Sequence, residues 1–121
     1  MFQVIFNEIS AAEMSQLPTM EQLQLLDEFK VRPEDLEDPD GSGAFGLLER
    51  DRKKLYRYRA QDHRIYFQLT EEGLVVHRVM HKNTLQDFLY RSKLPIAEDE
   101  ALSQSKVFWE LIEAGEKARR V

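Results

Sequence analysis
The stretch that most restricts what this chain can fold into runs from Lys54 to Lys82, where three segments rich in β-branched and aromatic residues are separated by two short polar breaks. Tyr56, Tyr58, Ile65, Tyr66, Phe67, Val75, Val76 and Val79 suit the pleated, half-buried surface of a strand. The spacing predicts strands at roughly 54–60, 63–69 and 74–81, with hairpin turns at Ala60-Gln61-Asp62-His63 and Thr70-Glu71-Glu72-Gly73. An edge strand near Phe45 to Leu48 and a first strand over Phe2 to Phe6 extend the pattern. With 121 residues, 42% of them apolar, the chain is long enough to bury such a sheet against a few helices.

Helical signals flank the sheet. Ser10-Ala11-Ala12-Glu13 and Thr19-Met20-Glu21-Gln22 have the capping-box pattern, in which a hydroxyl and the side chain three residues on satisfy orphan amides. The second opens a helix from about Met20 to Lys30, with Met20, Leu23, Leu26 and Phe29 read as its apolar stripe. Pro33 and the acidic run Glu34 to Gly43 read as a surface loop. Thr84-Leu85-Gln86-Asp87 reads as a further helix start, continued by Phe88, Leu89 and Tyr90 towards Pro95. A last amphipathic helix over Ser105 to Arg119 presents Val107, Phe108, Leu111 and Ile112, with Trp109 beside them. The expectation is one α+β domain over 1–121: an antiparallel sheet of about four strands with the N-terminal helices on one face. Its core covers about 1–93, and a helical extension about 98–121.

Register turns the strands into surfaces. Pairing Leu69 with Leu74 puts Ile65, Phe67, Leu69, Leu74, Val76 and Met80 on a core face. Arg78 falls there too and fits badly, so either it snorkels out at an edge or the register changes locally. The opposite face then carries Arg64, Tyr66, Gln68, Val75, His77, Val79 and His81, which places Arg64 and His81 together. Pairing Arg59 with Arg64 sends Tyr56 and Tyr58 to the core and sets Arg57 and Arg59 beside Arg64. A slip by one residue would bury the arginines.

Charge follows the same division. The formal net charge is -5, yet Arg50 to Lys93 holds 11 Lys and Arg against 5 Asp and Glu, so a basic middle sits between acidic flanks. A cationic surface for a phosphate backbone or an acidic partner is one reading, and a solvated face laced with ion pairs is the other. The absence of cysteine excludes disulfides, thiolate zinc sites and cysteine nucleophiles. The start Met1-Phe2-Gln3-Val4-Ile5-Phe6 lacks a basic n-region, and no apolar run approaches the roughly 20 residues of a membrane helix, so a cytoplasmic, membrane-free protein is expected.

Two apparent motifs carry no chemistry. Gly41-Ser42-Gly43-Ala44-Phe45-Gly46 matches G-x-G-x-x-G, but it follows an acidic Pro-containing loop and precedes extended sequence, whereas a dinucleotide site needs a strand before it and a helix after it. His77 and His81, four apart on a strand, lie about 13 Å from one another at strand rise and cannot chelate one metal together. His81 beside Lys82 and facing Arg64 is the more informative constellation, since a cationic cluster lowers a histidine's pKa and leaves an acid/base near neutrality beside a phosphate-binding guanidinium. A surface histidine at a strand end is the plainer account.

The run Lys54-Leu55-Tyr56-Arg57-Tyr58-Arg59-Ala60-Gln61-Asp62-His63-Arg64-Ile65-Tyr66-Phe67, followed by Val75-Val76-His77-Arg78-Val79-Met80-His81-Lys82 and then Tyr90-Arg91, resembles the signature of the RelE/ParE superfamily of toxins from bacterial toxin-antitoxin systems. The resemblance covers about a third of the chain. It implies a toxin-like protein neutralised by a cognate antitoxin, without cofactor. RelE-type members are metal-independent, ribosome-associated mRNA endoribonucleases that inhibit translation, whereas ParE-type members bind gyrase and are not enzymes. Carried over by position, the resemblance implies catalytic roles for Arg64, His81, Lys82 and Tyr90, and RNA or phosphate binding by Lys54, Arg57 and Arg59. It also implies no metal ligand. Lys82 stands where an arginine is common, and the extra C-terminal helix is not part of the pattern. That helix is expected to cover the sheet as an antitoxin segment does if the chain is a self-capped relative.

Overall fold
The computed structural model describes residues 2–39, 43–85 and 98–121. Its elements are β1 (Val4–Phe6), α1 (Glu8–Ser15), α2 (Thr19–Glu28), α3 (Pro33–Glu37), β2 (Phe45–Arg50), β3 (Lys53–Ala60), β4 (His63–Thr70), β5 (Gly73–His81), α4 (Glu98–Ser103) and α5 (Lys106–Lys117). The five strands form one sheet in the order β1-β5-β4-β3-β2, antiparallel except that β1 runs parallel to β5. This is the α+β architecture the strand pattern predicts: the first strand and the edge strand near Phe45 are both present, and β1 joins the sheet parallel to β5.

Both faces of the sheet are covered. On the first face Ile65, Phe67, Leu74, Val76 and Val79 pack with Phe45 against Met14, Leu25, Phe29 and Val31 from the N-terminal helices and the segment after them. On the second, Leu48, Leu55, Tyr66 and Met80 pack against Leu102 of α4 and Phe108 and Ile112 of α5. The C-terminal helices therefore close one of the two core clusters. Asn7 ties α5 down, since its side-chain amide donates to the carbonyls of His77 (3.2 Å) and Gly115 (2.7 Å). At Gly115 a β-carbon would collide with the His77 carbonyl, so a glycine is needed where helix meets strand. After α5, Val121 N–H donates to the Phe6 carbonyl at 3.0 Å, closing the end of the chain onto β1.

The predicted registers hold at Arg59 opposite Arg64 and at Leu69 opposite Leu74. Beyond Val76 they change. His77 is an extra residue, so Tyr66 faces Arg78, Ile65 faces Val79, Arg64 faces Met80 and His63 faces His81. The bulge resolves the misfit at Arg78. The arginine leaves the apolar face and is received by Glu13 of α1, at 2.8 Å from Nη2, while the same carboxylate accepts the Val79 N–H at 2.9 Å. Because side chains alternate, every residue after the bulge changes face relative to the unbulged register. Val79 joins the first face, Met80 the second, and His81 no longer shares a face with Arg64.

Three local expectations are corrected. α1 is capped by Asn7, with Ser10 as the third residue of the box, so the helix starts before Ser10. α2 has Pro18 at its N-cap and no side-chain cap from Thr19, and it exposes Met20, Leu23 and Leu26 while burying Leu25 and Phe29. The acidic stretch after Pro33 contains α3, with proline in its first turn and Asp35 accepting the Arg32 N–H at 2.9 Å. The helix expected through Phe88 to Tyr90 lies outside the described residues, which are helical at 82–85 where the description stops.

Candidate functional site
Alternation along β3 and β4 gives Arg57, Arg59 and Arg64 a common side, the second face, as the sequence predicts. What the sequence does not reveal is that α4 lies over them. Asp99 binds Arg57 through both carboxylate oxygens, at 2.7 Å to Nη2 and 3.2 Å to Nε, and Arg57 also donates to the Ala44 carbonyl at 2.8 Å. Glu98 accepts from Arg64 Nε at 3.1 Å and lies 3.7 Å from Arg59. The remaining donors of Arg64 include bonds to the carbonyls of Gln61 (2.9 Å) and His63 (3.1 Å). Arg57 is 5% and Arg64 8% exposed, whereas the Arg59 side chain keeps about half its surface in water.

Local sequence makes room for this arrangement. Gly46 stands opposite Arg57 on β2, and any β-carbon there would overlap the Arg57 guanidinium and come within 2.7 Å of Asp99 Oδ2. The arginine lies flat across the neighbouring strand because that strand has no side chain in its way. Leu102, fully buried, and Ala101, nearly so, anchor the same helix, so its acidic start is held against the guanidinium forks. Planar guanidinium groups grip a carboxylate as they grip phosphate, and here the carboxylates come from the chain itself.

Tyr66 sits between Arg57 and Arg64 on the same face, fully buried and edge-on to Phe108 with ring centroids 5.0 Å apart. Its hydroxyl has no hydrogen-bond partner among the described residues. Burial, reinforced by Glu98 and Asp99, raises its pKa well above the usual phenol value, so it stays a neutral donor.

The other sequence-nominated residues are dispersed. Lys54 is exposed and, pairing with Glu49, points to the opposite face from Arg57. His81 lies across from His63 on the first face, with the two rings perpendicular and 5.0 Å apart, and its Nδ1 accepts the Asn83 N–H at 3.1 Å. Lys82 is bound to Asp62 at 3.0 Å, and this hydrogen bond lowers the Asp62 pKa. Tyr90 lies outside the described residues. Arg64 and His81 stand at the same end of the sheet on opposite faces, so the structure does not join them into one constellation. Sequence reasoning missed Glu98 and Asp99, whose visible signal was an acidic start ahead of a helix, with nothing to say which cations they meet.

Among the described residues, no three His, Asp or Glu side chains converge as a metal site, and no helix is long and apolar enough to cross a membrane. No family model and no curated protein matches this chain. Among solved structures, it is similar to a chain of the toxin-antitoxin complex RelBE2 from Mycobacterium tuberculosis, at 18% identity and a TM-score of 0.49, over 66% of this chain and 96% of that one.

Proposed function
We propose that this protein is a toxin-like relative of the RelE/ParE superfamily whose anion-binding arginines are occupied by its own acidic helix, a self-capped form rather than a standing endoribonuclease. The observation that carries the reading is the pairing of Arg57, Arg59 and Arg64 with Glu98 and Asp99 of α4. The order of residues from Lys54 to Lys82 supports the toxin-like part. Separation of Arg64 from His81 by the thickness of the sheet weighs against a nuclease working through both, because one scissile phosphate would have to touch both side chains. In this reading, covering the basic face, the task of a cognate antitoxin, falls to α4. An mRNA, ribosomal or gyrase target would compete with Glu98 and Asp99 for the same arginines.

The test is induced expression in a bacterial host of the wild type, Glu98→Gln/Asp99→Asn, and the same double variant carrying Arg64→Ala. Growth unaffected by the wild type, arrested by the double variant and restored by Arg64→Ala supports self-capping. Arrest by the wild type, with mRNA cuts that vanish on Arg64→Ala alone, would instead establish an uncapped nuclease. Arrest by the wild type without cuts would point to a protein target such as gyrase.

A further inference from the structure
The bulge at His77 has a second effect, on the first face of the sheet. Without the extra residue His63 would face Met80. With it, His63 at the start of β4 and His81 at the end of β5 become direct cross-strand neighbours, their ring centroids 5.0 Å apart and their planes at 89°. Neither histidine is needed by the arginine cluster, and both line an open cavity of about 310 Å³ with Glu13, Gln16, Leu17 and Thr84.

We propose that His63 and His81 form a two-imidazole site for a borderline divalent cation of the Zn2+, Ni2+ or Cu2+ class. The separation fits. With a metal to nitrogen bond of about 2.0–2.1 Å, each ring centroid stands roughly 3.2 Å from the ion, so two imidazoles at a tetrahedral angle have centroids about 5 Å apart. Each ring turns freely about its metal bond, so perpendicular planes are compatible with a shared ion. Imidazole nitrogens select this class of metal over the hard, oxygen-seeking Mg2+ and Ca2+.

The backbone on both sides is already held. Lys82 N–H donates to the Asp62 carbonyl at 2.7 Å, and the Arg64 guanidinium binds the carbonyls of Gln61 and His63. The backbone carrying both rings is therefore fixed where it sets them as cross-strand neighbours. The nearest charges are mixed: Glu21 attracts a cation to His63 and Arg64 opposes it, Asp62 is paired with Lys82, and Glu13 is committed to Arg78 and the Val79 N–H. With no third protein ligand among the described residues, the ion would keep coordination positions open to water or an oxygen ligand from the cavity.

Binding has an internal reporter. The Asn83 N–H now donates to His81 Nδ1, so ligation through either ring nitrogen must disturb it: at Nδ1 the metal displaces the bond, and at Nε2 the ring proton moves to Nδ1. The experiment is a calorimetric titration of the full chain with Zn2+ alone, at pH 7.5 after chelator treatment, paired with NMR of the imidazole and amide signals. One ion per chain, at least tenfold weaker binding in His63→Ala and in His81→Ala, unchanged binding in Glu100→Gln, and joint shifts of both rings and the Asn83 amide are expected. Circular dichroism of each variant, repeated with His63→Gln and His81→Gln, separates ligand loss from misfolding. Binding that survives both histidine substitutions in folded protein, or no binding by the wild type, would overturn the site. Neither outcome bears on the arginine cluster.

Discussion

His77 is a buried titratable group whose charge state bears directly on stability. It is 2% exposed between β5 and α5, Nε2 is 2.9 Å from Gln68 Oε1, and Nδ1 has no hydrogen-bond partner among the described residues. Burial, with Arg120 and Lys53 acting in the same direction and Glu116 opposing them, lowers its pKa from 6.5 to about 4. The folded state therefore binds fewer protons than the unfolded chain over this range. Stability contributed by the neutral ring is intact above pH 6.5 and is lost as pH falls towards 4. At about 1.4 kcal/mol per pH unit the full loss is on the order of 3 kcal/mol, and about 2 kcal/mol of it develops between pH 7 and pH 5. Gln at this position keeps a donor near where Nε2 meets Gln68 but cannot titrate. Urea unfolding of the wild type and His77→Gln, followed by the fluorescence of the single tryptophan, Trp109, measures the difference. The wild type should lose about 2 kcal/mol more than the variant between pH 7 and pH 5, by the same proton linkage. Equal losses in the two proteins would show that the ring is not held neutral, and the reasoning would fail.

Other substitutions follow from close packing. Gly46→Ala forces a methyl group into the Arg57 guanidinium beside Asp99, and should destabilise by about 1–3 kcal/mol in the same unfolding assay. Phe108→Ala removes a fully buried ring from the second face and should cost about 3–5 kcal/mol. Deleting residues 103–121 should yield no folded protein by circular dichroism rather than an uncapped one, because Phe108 and Ile112 are core to the sheet.

The hairpins were legible because alternation, turn composition and the cost of burying arginines agree on one register, and Arg59 opposite Arg64 and Leu69 opposite Leu74 are found as read. The bulge was visible only as the misfit of Arg78. Its cause, Glu13 waiting on α1, lies 65 residues away in sequence. The α2 stripe failed for a geometric reason: residues three apart on a helix drift by about 60° each step, so Met20 and Phe29 end on opposite sides. Exposure accordingly falls from 69% at Met20 through 57% at Leu23 and 46% at Leu26 to 5% at Phe29. The arginine face was predictable as a surface and not as a covered one. Its carboxylate partners are 34 to 42 positions further along the chain, and no local pattern links them.

The central claim is that Glu98 and Asp99 withhold three arginines from an external anion, and the most direct measurement is binding of fluorescently labelled single-stranded RNA as a function of salt. Wild type should bind weakly with a shallow salt dependence. Glu98→Gln/Asp99→Asn, shown folded by circular dichroism, should bind at least tenfold more tightly, and its log-log salt slope should steepen by about 2 for three recovered phosphate contacts. Arg57→Ala or Arg64→Ala in that background should reduce the slope again. Equal affinity and equal slope in wild type and the double variant would contradict the account.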